Sequence, residues 1–139
     1  MNLNTDVNIT GVAGAAANTS TLVTGAIDTA GYDGVMVIVR CNVANAGNYI
    51  KAGQDSAVGL GTIADIKGSK VVCTVGDQFL FIDIFRPTKR YVQVSLARGS
   101  SSAAGDFVIV RYGGRVKAEN NVKTGYKGVF LQSPDEGVA

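Results

Sequence analysis

The sequence predicts an all-β protein, an antiparallel two-sheet β-sandwich of jelly-roll type with extended N- and C-terminal arms. Three observations carry that reading. From Thr19 onward, short runs rich in Val, Ile, Phe and Tyr alternate with clusters of Gly, Asn, Asp and Ser, the pattern of strands and turns. No stretch shows a convincing apolar stripe at helical spacing. Eighteen glycines, scattered at turn positions, argue against long helices.

Residues 1–19 are small and polar, and "VAGAAANTS" offers a core nothing larger than Val12, so this segment reads as an N-terminal arm. Candidate strands follow at 20–27, 35–43, 48–53, 62–66, 70–75, 79–85, 90–97 and 106–113. About eight antiparallel strands without crossover helices close most naturally as a jelly roll, here over residues 20–116. An immunoglobulin-like sandwich is the rival, weakened by the absence of tryptophan and by the late cysteine. Residues 117–139 read as a C-terminal arm.

Period-two alternation assigns faces on three of these strands. In "RYVQVSLAR" the inward set is Val92, Val94 and Leu96, with Tyr91, Gln93 and Ser95 outward. In "QFLFIDIFR" both faces are apolar except at Asp83, which predicts cover on both sides. "VMVIV", residues 35–39, is likewise apolar on both faces and belongs at the centre of a sheet or against a neighbouring subunit. Asp83 between Ile82 and Ile84 reads as a buried carboxylate, with Arg40 or Arg111 as the partner it would need.

Two corners have a local mechanism. In "DTAGY", Asp28 and Thr29 can accept from nearby backbone N–H groups, Gly31 can take positive φ, and Tyr32 packs as a plug at the strand entrance. In "FRPTKRY", Pro87 sets φ for the second position of a turn spanning residues 86–89.

At 139 residues the chain can bury one core. With 46% hydrophobic and 17% charged residues it is too apolar for a disordered chain. Its longest apolar run, Val35 to Val39, is far short of the roughly 18 to 20 residues of a membrane span, so a soluble protein without a membrane partner is expected. The start, "MNLNTDVNIT", lacks the charged-then-apolar order of an export leader. Cys41 and Cys73 have no histidine to complete a zinc set and read as buried thiols; a disulfide between them would require an oxidising compartment.

The usual histidine base and the serine or cysteine triads are absent from the composition, and Asp65, Asp77 and Asp83 show no pairing by spacing, so no enzyme, catalytic residue, metal or cofactor is expected. "GLGTIA", residues 59–64, formally matches a dinucleotide fingerprint but is followed by "DIKGSK", which offers no helix. "RYGGR", residues 111–115, is a single arginine-glycine copy, and with a net charge of +2 direct nucleic-acid binding is not expected.

"IDTAGYDGVMVIV", then "KRYVQVSL", then "GDFVIVRYGGRV" together resemble a family of small virion proteins of tailed bacteriophages, the capsid decoration or cement proteins, also described as head fibre proteins. The resemblance covers about residues 20–116. Related chains carry an acidic segment after the first long strand where this one has "IKAGQDSA". The resemblance implies a sandwich, commonly a homotrimer, seated on the capsid exterior at local threefold axes, with the major capsid protein and its own copies as partners. It would stabilise the shell mechanically, as a virion component made in the bacterial cytoplasm. A receptor- or glycan-binding module of a phage fibre or tail is the rival, disfavoured by the absence of tryptophan platforms.

The tail is read on its own chemistry. Residues 115–127 hold Arg115, Lys117, Lys123 and Lys127 against Glu119 alone. Lys117, Lys123, Tyr126, Lys127, Phe130 and Leu131 are the candidate capsid or subunit contacts, with the apolar group suited to a groove or to a sheet edge.

Overall fold

The computed structural model describes residues 6–115, 121 and 124–127. Among these the chain forms β1 (Val7–Val12), β2 (Ala15–Asn18), β3 (Leu22–Val23), β4 (Ile27–Asp28), β5 (Gly34–Cys41), β6 (Asn45–Asp55), β7 (Ala64–Asp65), β8 (Val71–Cys73), β9 (Gln78–Phe85), β10 (Tyr91–Arg98), β11 (Ser102–Ala104) and β12 (Phe107–Tyr112).

In the first sheet β5 is central, pairing with β12 on one side and with β9 on the other. β1 lies outside β12, and β11 joins the end of β5 to β2. In the second sheet β10 and β6 pair from Tyr91–Asp55 to Arg98–Asn48. The short β3 and β4 flank β10, and β7 and β8 flank β6. All pairings are antiparallel. The orders β1-β12-β5-β9 and β3/β4-β10-β6-β7/β8 are those of a jelly roll.

The core lies between the sheets. From the first come Val35, Val37, Val39, Leu80, Ile82, Phe107 and Ile109, and from the second Ile50, Ala52, Val92, Val94 and Leu96. The inward set expected on β10 is fully buried. Each such Val or Leu removed from water contributes about 1.5–3 kcal/mol, which is why the period-two pattern dictates register.

The first corrections concern the N-terminal segment. Residues 7–18, read from sequence as part of an arm, are two strands of the first sheet, with β1 paired to β12 from Val7–Tyr112 to Val12–Phe107. Small and polar side chains such as Asn8, Thr10 and Gly11 hide this strand from a hydrophobicity pattern, yet the backbone ladder needs no large side chain. The next stretch is tied down by Arg98, which is buried and donates to the carbonyls of Ser20 at 2.6 Å, Ala16 at 2.9 Å and Ser102 at 2.9 Å. The candidate strand 20–27 is split into β3 and β4 around Gly25, whose φ is +73°.

Cys41 and Cys73 are buried free thiols, as the composition suggested. Burial, then the neighbouring Cys41, pushes the Cys73 thiol up to about 11. Residues 59–63 lie in the connection between β6 and β7, with Ala64 opening β7, and there Thr62 caps buried Asp55 through its backbone N–H at 2.8 Å.

Candidate functional site

The outer face of the first sheet is the most conspicuous surface among the described residues. Alternation puts Leu80 and Ile82 of β9 into the core and turns Phe79, Phe81, Asp83 and Phe85 outward. Phe79, Phe81 and Phe85 are 68%, 58% and 61% exposed. Cross-strand register places Ile38 and Met36 of β5 beside them, then Val108 and Val110 of β12. The expected cover on both faces of β9 is therefore not supplied among the described residues. β9 also pairs only with β5, so its far edge is open among the described strands. An eight-residue edge strand with no proline or lysine and an apolar outer face lacks the usual defences against further pairing.

Asp83 corrects a second expectation. It is exposed rather than buried, and its partner is neither Arg40 nor Arg111 but the Tyr112 hydroxyl, at 2.6 Å. Arg40 pairs with Asp77 at 3.0 Å. Arg111 donates to the Asp28 carbonyl and to the Asn8 side chain. Burial, then this contact with Asp83, pushes the Tyr112 hydroxyl up to about 12.

At one end of this face three distant pieces of sequence meet. The Asp28 corner forms as its residues dictate. Ala30 N–H donates to Asp28 Oδ1 at 2.9 Å, Tyr32 N–H donates to the Thr29 carbonyl at 3.1 Å, and Gly31 has φ +82°. That matches a type II turn, whose third position requires positive φ. Tyr32 packs under Arg111, 4.7 Å from the guanidinium to the ring centre.

The corner is bound to the Arg86–Arg90 bend. Arg90 grips Asp28 with two parallel bonds of 2.9 and 2.7 Å, and the Arg90 carbonyl accepts from both the N–H and the hydroxyl of Thr29. The Arg90 fork holds the Asp28 carboxyl down at about 2. Pro87 lies between bends at Arg86 and Thr88, but no bond closes the turn expected over residues 86–89: Lys89 N–H donates instead to Gln54 Oε1 at 3.3 Å, and Gln54 Nε2 donates to the Thr88 hydroxyl at 2.8 Å. The third piece arrives with Arg115, whose N–H donates to the Gly31 carbonyl at 3.0 Å. Nothing in the sequence paired Asp28 with Arg90 or Gln54 with Thr88, because only the packed sheets bring them together.

Of the residues named in the tail, Tyr126 lies against its own chain, accepting at its hydroxyl a 2.7 Å bond from Gly11 N–H. Asn121 beside it accepts from Ile9 N–H and donates to the Val7 carbonyl, both at 2.9 Å. The tail thus meets a sheet edge, that of β1, in the same molecule. Lys127 is exposed. Lys117, Lys123, Phe130 and Leu131 lie outside the described residues.

No family model and no curated protein matches the chain. Among solved structures it is similar to a chain described under "Bacillus endospore appendages form a novel family of disulfide-linked pili", with a TM-score of 0.44 and 14% identity over 81% of this chain and 92% of that one. That likeness is too distant to inform function.

Proposed function

We propose that this protein is a structural virion component that binds the outside of a phage capsid as an oligomer and stabilises the shell. The observation that carries the reading is the outward row Phe79, Phe81 and Phe85 on a strand whose far edge is open among the described strands. Contiguous apolar surface of this kind marks a protein contact. The resemblance of residues 20–116 to capsid decoration proteins supplies the class of partner, the major capsid protein, and the expectation of a homotrimer. Cement works by adding contact area between subunits, a task for surfaces of this kind rather than for reactive groups.

Two measurements test the proposal. Light scattering at micromolar concentration should return a multiple of the 14.4 kDa chain, and Phe81→Ser should lower it. Purified protein should co-sediment with expanded empty heads. A monomer at all concentrations that also stays in the supernatant would overturn the reading, and sedimentation with host cells instead would favour receptor binding.

A further inference from the structure

The groove between the Thr29–Asp33 corner and the Arg86–Arg90 bend carries an unbalanced charge. Arg86, Lys89, Arg90 and Arg115 line it against one lining carboxylate, Asp33. Arg90 is neutralised by Asp28 at its margin. Arg86, Lys89 and Arg115 take part in none of the ion pairs formed among the described residues, which are Arg40–Asp77, Lys51–Asp65 and Arg90–Asp28. Three like charges thus share one concavity drawn from three remote parts of the chain.

We propose that this groove docks a carboxylate-rich segment of a partner protein. Its walls are set before any ligand arrives. Arg86 N–H is fixed on the Asp33 carbonyl at 2.7 Å, its guanidinium stands 5.1 Å from the Phe85 ring centre, and the bend is held by Gln54. A site already in its binding geometry loses little entropy on docking. Guanidinium forks match carboxylates bidentately, and two of the three unpaired cations are arginines.

A nucleic acid fits less well. Single strands bind by stacking bases on aromatic rings along a continuous basic track, and here the groove's one aromatic ring, Tyr32, is already covered by Arg111. Because Arg86 adjoins Phe85, the groove continues the phenylalanine face, giving an apolar centre with a cationic end. The inference therefore extends the proposed docking role by naming the chemistry of what meets that end, and only the identity of the partner rests on that role.

The test uses the full chain and a fluorescein-labelled peptide of six glutamates, followed by anisotropy. The wild type should bind, with affinity falling about tenfold or more as salt rises from low to moderate ionic strength. The combined Arg86→Gln, Lys89→Gln and Arg115→Gln variant should lose about tenfold or more, whereas Lys67→Gln with Lys70→Gln, exposed cations elsewhere, should stay close to wild type. Amide shifts in the wild type on adding peptide should centre on Ala30 and Thr88, a readout that survives if the triple variant fails to fold. Phe81→Ser should keep peptide binding while losing self-association, which separates this inference from the proposed function. No binding by the wild type, an equal loss in the lysine pair, shifts centred elsewhere, or stronger competition by an oligodeoxynucleotide than by unlabelled peptide would each overturn it.

Discussion

Tyr112 and Asp83 are joined by a 2.6 Å hydrogen bond that passes over the strand between them. Tyr112 stands opposite Gly34 in the ladder, and an added Cβ at Gly34 would collide with the hydroxyl end of the Tyr112 ring. Glycine here makes room for a side chain from β12 to reach β9. Gly34→Ala should therefore expel the ring and lower the melting temperature, and Tyr112→Phe should lose only the hydrogen bond, about 0.5–1.5 kcal/mol. Ultraviolet titration should find one tyrosine ionising near 12, absent in Tyr112→Phe. Because folding raises this pKa above the usual value near 10, the contribution is complete below about pH 10 and is lost as pH rises through 12.

Gly31 sits at φ +82° with open space where a Cβ would be, so its requirement is conformational rather than steric. Gly31→Val should destabilise by more than about 1 kcal/mol, because a β-branched residue is poorly tolerated at positive φ. An unchanged chemical-denaturation midpoint would contradict this.

Part of the acid sensitivity should come from Asp28. The Arg90 guanidinium holds its folded pKa at about 2, below the ordinary carboxylate value of 3.8, so the ion pair contributes fully above about pH 4 and is lost as pH falls through 2. Both side chains are more than a third exposed, so solvent screening keeps the contribution to about 1 kcal/mol or less. Asp28→Asn should flatten that part of the stability curve in melts between pH 5 and 2.

Asn121 bonds both the Ile9 N–H and the Val7 carbonyl on the outer edge of β1. Asn121→Ala should cost about 1–3 kcal/mol of local stability and speed amide exchange at Ile9 well beyond any change in β10.

The parts legible in the sequence are those where one face is apolar and the other polar. Val92, Val94 and Leu96 alternate strictly, and the core strands β5, β9 and β10 follow their expected ranges within a residue or two, except that β5 stops at Cys41. β1, β2 and β11 were not legible, because Asn8, Thr10, Ala15 and Ser102 hold their places through backbone pairing and through Arg98 rather than through side-chain pattern. The Asp28 corner was legible in its local bonds, which span two or three residues, but not in its grip on Arg90, 62 residues away. "QFLFIDIF" was legible as a strand apolar on both faces, whereas which face would lack cover among the described residues depended on where the second sheet lies.

The pairing of β1 with β12 and Asn121 has a temporal consequence. Ile9 and Asn121 are separated by 112 positions. During synthesis β1 leaves the ribosome long before the strands that flank it exist, and its ladder groups remain in water until nearly the whole described chain has been made. Topologies dominated by such distant pairings fold slowly, with loop closure preceding any reward from contact. Closure of the first sheet at β1 is therefore a late event in the life of the nascent chain, and until then β5, its most apolar strand, must wait with β9 as its earliest long neighbour.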